Sequence, residues 1–332
     1  MVRVTIRDVA ERAGVSRQTV SRAINNAPGI DPDTRKRVLA VARELGYRPS
    51  NLARGLKTNR THTIGLVVPD IANPFFADLA RGASEVAYGA DYSVLLCNTE
   101  ERPEREWETL RMLEAHRVDG LFLASSRLSP GQLGEVAEGY APLVLVNRQM
   151  DVHPGVGCVL VNDALAAETA TDHLLARGHR RIGFLGGSTQ THSGRERRLG
   201  HTRAMGRAGL ERRAGWDRPC APTVEGGRLA ALDLLQHHPE LTALLAYNDL
   251  VAVGAVQACE TLGREVPGSC AIVGWDDIVF SSYVSPSLTT MRMPKYHLGE
   301  AAMTLLLTLI ADPLLAPSPT ILEAELVVRQ TT

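Results

Sequence analysis

The chain has 332 residues, of which 44% are hydrophobic and 22% are charged. This length allows two or three domains with sizeable cores, and the composition excludes an intrinsically disordered chain. No apolar run approaches the ~18 residues that a transmembrane helix requires. The N-terminal sequence MVRVTIRDVAERAG is charged and patterned, so we expect neither a secretory signal nor membrane association.

The net charge of −1 conceals an uneven distribution of charge along the chain. Residues 1–60 contain 13 Lys and Arg residues but only five acidic residues, which gives this segment a net charge of +8. The other 23 basic and 32 acidic residues give the rest of the chain a net charge of −9. A small basic segment joined to an acidic body is typical of a polyanion-binding module. A chance excess of surface arginine is the alternative explanation.

The five cysteines are scattered, with no CxxC motif and no histidine at the spacing of a zinc site. We therefore expect reduced, buried cysteines in a cytoplasmic protein that needs no metal or other cofactor.

The basic segment contains the signals of three short helices. Thr5 predicts a helix start, and the helix over Ile6–Ala13 ends at Gly14, which tolerates a left-handed backbone. Ser16 predicts the start of a second helix, and Asp31-Pro32 that of a third. Two helices joined by a glycine-containing turn within about 20 residues indicate a helix-turn-helix.

The second helix presents side chains that suit DNA. Arginine pairs with guanine and glutamine with adenine through two hydrogen bonds in the major groove, so Arg17, Gln18 and Arg22 are candidates for reading base edges. Short hydroxyl side chains in the same stretch suit phosphate contacts; these are Ser16, Thr19 and Ser21. The alternative is that all six are ordinary solvated side chains.

These residues resemble the headpiece of the lactose/galactose-repressor (LacI/GalR) family of transcription factors. The resemblance rests on VTIRDVAERAGVSRQTVSRAINN at 4–26, on LGYRPS at 45–50 and on residues 52–57. It implies that Ser50–Lys57 becomes a hinge helix only on operator DNA, and that Leu56 inserts into a central CpG step. An eight-residue helix is unstable alone, and an apolar wedge in the minor groove bends DNA. Leu56 could instead be an ordinary core residue beneath a linker.

One headpiece reads only a half-site, so we expect a homodimer on a pseudo-palindromic operator. The chain ends soon after a predicted strand over Leu322–Val328 and has no terminal leucine heptad, so we do not expect a tetramer. The resemblance and the helix chemistry together predict DNA contacts by Thr5, Ser16, Arg17, Gln18, Thr19, Ser21, Arg22, Asn25, Ala53, Arg54, Leu56 and Lys57.

From Thr63 onward, about nine apolar runs alternate with amphipathic helical segments. Strands that lack internal alternation are buried on both faces, so we expect parallel, helix-covered sheets. The predicted fold is an all-α helix-turn-helix headpiece followed by an α/β core of two doubly wound parallel-sheet subdomains. The predicted domains are a headpiece (1–48), a hinge and linker (49–61) and an effector-binding and dimerisation core (62–332). Within the core we expect an N-subdomain (62–162 and 292–321) and a C-subdomain (163–291 and 322–332).

Apolar run after apolar run in the core ends in a polar residue, such as Asp70, Asn147 or Asn248. In open α/β sheets, ligands bind beyond the carboxyl ends of the strands, and such a polar ring suits a hydroxylated small molecule. The alternative is that each residue only caps the following helix.

The family resemblance continues across the core, through DIANPFF at 70–76, VNR at 146–148 and GWDD at 274–277. It implies a fold similar to periplasmic sugar-binding proteins, with Phe75 or Phe76 stacking on a sugar ring; Phe76 could instead be a core residue. His201 and Arg198 depart from the family pattern. The predicted effector contacts are Asp70, Asn73, Phe75, Phe76, Asn147, Arg148, Arg195, Asn248, Asp276 and Lys295.

Three of these contacts are cations, namely Arg148, Arg195 and Lys295, and together they would favour an acidic or phosphorylated sugar. Arginine also binds neutral hydroxyls, so this preference stays open. No GxSxG, HExxH or P-loop motif is present. We therefore expect an allosteric regulator, a repressor whose operator affinity changes when an effector alters subdomain closure. The alternative is a sugar-modifying enzyme fused to a DNA-binding head.

Overall fold

A computed structural model describes residues 4–47, 60–140, 142–187, 191–211 and 213–332. The chain divides into two compact units between Thr61 and His62. The predicted hinge contacts Ala53, Arg54, Leu56 and Lys57 lie outside the described residues.

The first unit contains the three predicted helices, α1 (Ile6–Ala13), α2 (Arg17–Ile24) and α3 (Pro32–Glu44). Gly14 ends α1 with a φ of 67°, a conformation that favours glycine. The Ser16 hydroxyl caps α2 by accepting a hydrogen bond of 3.1 Å from the backbone N–H of Thr19. One fully buried valine from each helix forms the centre of a small core; these are Val9, Val20 and Val38.

The second unit begins with a six-stranded sheet. Its strands are β1 (Thr63–Val68), β2 (Ser93–Asn98), β3 (Gly120–Ala124), β4 (Leu143–Val146), β5 (Val156–Val161) and β11 (Thr320–Leu322). Their spatial order is β11-β5-β4-β3-β1-β2, and all five neighbouring pairs are parallel. The strand register aligns the carboxyl ends of the central strands at one edge of this first sheet.

A second six-stranded sheet follows. It contains β6 (Ile182–Gly186), β7 (Asp217–Pro219), β8 (Ala243–Ala246), β9 (Ala271–Asp276), β10 (Thr289–Arg292) and β12 (Glu325–Val327). The order is β12-β10-β9-β8-β6-β7, in which β12 alone runs antiparallel to its neighbour. The strand predicted over Leu322–Val328 is shorter in the structure, because β12 covers only Glu325–Val327 and Leu322 ends β11 in the first sheet.

In the described part of the second unit, eight α-helices connect and cover the strands. They are α4 (Pro74–Gly89), α5 (Pro103–Ala115), α6 (Pro130–Gly139), α7 (Asp163–Ala176), α8 (His192–Arg207), α9 (Val224–His237), α10 (Asp249–Thr261) and α11 (Lys295–Ala311). Helix α4 packs against α11, α7 against α8, and α9 against α10. Trp275, Phe122 and Phe184 are the largest fully buried side chains, and a continuous apolar core includes residues of both sheets.

In the part of the chain that the structure describes, no helix combines the length and apolarity needed to cross a membrane.

Candidate functional site

The first turn of α2 offers two side chains to an external partner. Arg17 and Gln18 are exposed, and within residues 4–47 neither donates a hydrogen bond to the headpiece itself. The other predicted base-reading residue, Arg22, donates a hydrogen bond of 2.6 Å to the Pro28 carbonyl.

The remaining predicted headpiece contacts serve local structure in this conformation. Thr5 Oγ1 donates to the Asp8 carboxylate over 2.8 Å, and the Ser16 and Thr19 hydroxyls are 2.9 Å apart. Asn25 Nδ2 donates over 2.8 Å to the Ser21 carbonyl. A polar DNA contact by any of these four side chains would be additional to its capping or turn role.

In the second unit, an open cleft of about 370 Å³, solvent-open space included, lies beyond the carboxyl ends of both sheets. The first sheet places polar side chains after β1, β2, β3 and β4, and the second places them after β6, β8 and β9. The cleft is lined by Asn73, Phe75, Phe76, Glu101, Ser125, Arg127, Asn147, Ser193, Arg197, Pro222, Tyr247, Asn248 and Asp276.

The apolar part of the cleft comes from the start of α4. Asn73 Oδ1 caps this helix by accepting a hydrogen bond of 3.0 Å from the Phe75 N–H. The rings of Phe75 and Phe76 meet edge to face with centroids 5.0 Å apart. Both rings line the cleft and both belong to the buried core.

Two hydrogen-bond acceptors in the cleft have no partner among the described residues. Asp276 is 5% exposed, and its carboxylate receives no hydrogen bond. Burial raises the pKa of Asp276 well above its usual range, although Arg197 and Lys295 oppose this shift. Asn147 has a buried Oδ1 atom that also receives no hydrogen bond. A ligand that supplies hydroxyl or N–H donors would satisfy both groups.

Both arginines in the cleft are paired with acids. Arg127 Nη2 donates over 2.9 Å to Glu101 Oε1, and its Nε donates to the other oxygen of the same carboxylate. Burial alone would lower the pKa of Arg127, but the bonds and charges of nearby acids raise it above its usual value. Arg197 Nε donates over 2.9 Å to Asp163 Oδ1, and both side chains are almost completely buried.

Six of the ten predicted effector contacts line the cleft, namely Asn73, Phe75, Phe76, Asn147, Asn248 and Asp276, and four do not. Among those four, Asp70 Oδ1 accepts from the Ala72 N–H, and Arg148 donates over 2.7 Å to the Leu128 carbonyl. Lys295 Nζ donates over 2.6 Å to the backbone carbonyl of Asp276. Arg195 is exposed and outside the lining.

Arg195 lies outside the lining, whereas Arg197 of the same helix lies in it, so the effector contact of Arg195 stays a prediction. Two residues turn a helix by about 200°, so these two side chains leave α8 on opposite faces. The spacing of Ser193 and Arg197, four residues apart on one face, is a sequence signal that would have found the cleft side. Glu101 and Arg127 lie in irregular segments after strands, and no periodicity marks them.

Residues 5–50 match the family described as bacterial regulatory proteins, lacI family. Residues 61–319 match the family described as periplasmic binding proteins and sugar binding domain of LacI family. The chain belongs to the LacI family.

Similar LacI-family proteins are regulators of transcription. The chain is 37% identical to the ribose operon repressor of Escherichia coli over 94% of each protein. It is 36% identical to the regulator GalS of Salmonella typhimurium, over 92% of this chain and 89% of that protein. A structure of the lac repressor dimer bound to operator and the anti-inducer ONPF has a TM-score of 0.88 at 27% identity, with 99% of each chain covered.

These findings confirm the fold class and the regulatory function expected from the sequence. The chain is a LacI-family transcriptional regulator with an effector-binding domain, and its named relatives are regulators rather than enzymes.

Proposed function

We propose that this protein represses transcription as a homodimer on a pseudo-palindromic operator, under the control of a small polyhydroxylated effector. The observation that carries the effector site is the cleft beyond the two sheets, where the Asn147 Oδ1 atom is buried without a partner and the Asp276 carboxyl group receives no hydrogen bond from a described residue. Because residues of both sheets line the cleft, a bound ligand favours one arrangement of the two sheets over another. Operator affinity changes by the difference in ligand affinity between those arrangements.

The DNA-reading part of the proposal rests on α2. Arg17 and Gln18 are exposed and free to form paired hydrogen bonds with base edges. Arg22 also contacts a base once its guanidinium gives up the hydrogen bond to the Pro28 carbonyl. The other proposed contacts are Thr5, Ser16, Thr19, Ser21 and Asn25 in the headpiece and Ala53, Arg54, Leu56 and Lys57 in the hinge.

The carbohydrate nature of the proposed effector is supported by chemistry and by relatives. Two unpartnered acceptors beside two aromatic rings suit the hydroxyl groups and C–H faces of a sugar. One relative is named a ribose operon repressor, and a structure of a CelR–cellobiose complex matches this chain with a TM-score of 0.76 at 29% identity. The same relatives support a cytoplasmic location for the regulator.

The homodimer is supported by an exposed apolar segment after β9. Val279 and Phe280 are 55% and 52% exposed, and Tyr283 is 78% exposed. Exposed apolar side chains clustered in this way are typical of interaction surfaces. The matched lac repressor structure is itself a dimer. Two headpieces per assembly would read the two half-sites of one operator.

The proposal is tested by a thermal-shift screen of neutral sugars, sugar acids and nucleobases, followed by operator titration with each hit. Asp276→Asn replaces one acceptor oxygen of the carboxyl group by an amide donor, whereas Asp91→Asn makes the same change at an exposed position and serves as the matched control. We expect Asp276→Asn to weaken hit binding at least about tenfold and Asp91→Asn to leave it unchanged. Equal affinity in both variants would contradict the assignment of the cleft.

A further inference from the structure

The two arginines in the cleft differ in how they are neutralised. Arg197 is paired with Asp163, which stands behind it and does not line the cleft. Arg127 is paired with Glu101, and both of these residues line the cleft themselves. A ligand in the cleft can therefore contact both members of the Arg127–Glu101 ion pair.

Three of the five N–H groups of the Arg127 guanidinium are already used within the protein. Two of its nitrogens, Nε and Nη2, donate to the two oxygens of Glu101, so the edge that these two nitrogens form is not available to a carboxylate or phosphate. The remaining nitrogen, Nη1, donates to the Ser125 carbonyl. Arg127 is only 10% exposed, and Glu101 is 30% exposed, so solvent screens this pair weakly.

The charge balance of the cleft also disfavours an anion. The lining contains two cations, Arg127 and Arg197, and each is paired with an acid, Glu101 or Asp163, while burial favours the neutral form of Asp276. The other cations expected at the site, Arg148, Arg195 and Lys295, lie outside the lining, and Arg148 and Lys295 donate to the backbone carbonyls of Leu128 and Asp276. A phosphate or carboxylate entering the cleft would displace Glu101 or face Asp276 without a free cation in the lining.

We propose that Glu101 is a specificity-determining residue, which occupies Arg127 and thereby makes the cleft select uncharged ligands over anionic ones. This proposal rests on the proposed function, because it concerns the same effector site. It reverses the sequence expectation of an acidic or phosphorylated sugar. Removing the Glu101 charge should leave the Nε and Nη2 atoms of Arg127 free to bind an anion, while the guanidinium keeps its position.

The test uses isothermal titration of the full-length protein. The probes are inorganic phosphate and three neutral sugars, D-ribose, D-galactose and D-glucose, each paired with its aldonate and its terminal phosphate ester. Glu101→Gln is compared with Glu100→Gln, because Glu100 is the adjacent residue, pairs with the exposed Arg102 and lies outside the cleft lining. The double variant Glu101→Gln with Arg127→Met removes the guanidinium that the single variant releases.

In the wild type we expect each neutral sugar that binds to bind at least about tenfold more tightly than its anionic partners, and phosphate not to bind in the cleft. Glu101→Gln should bind phosphate at least about tenfold more tightly than Glu100→Gln, and the double variant should lose this gain. Three results would overturn the proposal. The wild type could prefer an anion to the neutral sugar, or it could bind phosphate in a way that Arg127→Met abolishes. The third result is equal phosphate affinity of Glu101→Gln and Glu100→Gln.

The wild-type measurements decide the question even where Glu101→Gln does not fold, which its unfolding midpoint reveals. If no sugar binds the wild type, the carbohydrate assignment fails, whereas the phosphate titrations still test the role of Glu101. The two failures are therefore distinguishable.

Discussion

Arg197 Nε donates a hydrogen bond of 2.9 Å to Asp163 Oδ1 and so joins α8 to the first residue of α7 at the wall of the cleft. The guanidinium carbon of Arg197 also lies 4.5 Å from the ring centroid of Trp275 and 4.8 Å from that of Tyr247. A cation between two aromatic faces and a buried carboxylate is held in one orientation. This arrangement gives the cleft a preorganised donor, and its integrity is testable.

Arg197→Met should destabilise the core by about 3–5 kcal/mol, because it leaves the buried Asp163 carboxylate without its partner. Burial opposes the charged form of Arg197, but Asp163 and other acids raise its pKa, consistent with a pair that stays charged. The measurement is the free energy of unfolding in urea. The double variant Arg197→Met with Asp163→Asn removes both charges and should recover part of the loss. If the two single effects simply add, the pair carries no coupling energy and the prediction is wrong.

Gly200 allows α8 to approach α7 closely enough for this pair to form. A Cβ atom at Gly200 would lie 2.1 Å from the Ala164 carbonyl oxygen, so a side chain there forces the helices apart. We expect Gly200→Ala to destabilise the core by about 1–3 kcal/mol and to weaken ligand binding. Gly206→Ala is the control in the same helix, because a Cβ there meets nothing within 4 Å and alanine improves helix propensity. Equal unfolding midpoints for the two variants would refute this close approach.

Much of the architecture could be predicted from the sequence, because burial on both faces leaves strands as continuous apolar runs. The run over Ile64–Val68, for example, forms β1 almost as expected. Residues 320–327 were not predictable in this way, because two three-residue strands that pair with different sheets are separated by only two residues.

The candidate site was predictable only where a strand end fixes the direction of a side chain. Asn147 directly follows β4, Asp276 is the last residue of β9, and both line the cleft. Arg197 was missed because its neighbour Arg195 has the same chemistry and only the helix rotation separates them. The partners of Arg127 and Lys295, a carboxylate and backbone carbonyls, depend on tertiary contacts that the sequence does not encode locally.

Asp249 should make the core less stable as the pH rises through 6. Burial raises the pKa of Asp249 to about 6, although Ser281, Thr290 and the Ile278 N–H donate to it. The protonated carboxyl is favoured in the folded state, so its stabilising effect is full below the unfolded pKa of ~3.9 and is lost as pH passes 6. The free energy of unfolding of the wild type should fall by about 1 kcal/mol relative to Asp249→Asn between pH 5 and 7.

The exposed Asp151 provides the control for this titration, since Asp151→Asn removes a carboxylate without changing the buried network. Parallel pH profiles for the wild type and Asp249→Asn would show that Asp249 does not titrate in this range.

Gln18→Ala should weaken specific operator binding by about 1–3 kcal/mol and relax the preference for one base, because a paired hydrogen bond to adenine is lost. Arg17→Ala should act similarly at a neighbouring base. The control is Arg43→Ala on α3, whose Nε donates to the Leu39 carbonyl of its own helix. The measurement is fluorescence anisotropy on operator variants at several salt concentrations. Loss of affinity that is uniform across all operator sequences would assign Gln18 to the phosphate backbone instead.

A ligand in the cleft should control the affinity of the headpiece for DNA. The most direct test is the operator dissociation constant of the full-length protein with and without a bound hit, in the wild type and in Asp276→Asn. We expect the ligand to change the wild-type constant at least about fivefold and to leave that of Asp276→Asn unchanged at the same ligand concentration, while both proteins bind operator equally well without ligand. Two results would contradict this expectation. The ligand could change the operator affinity of the wild type and of Asp276→Asn equally, or it could bind and change the operator affinity of neither protein.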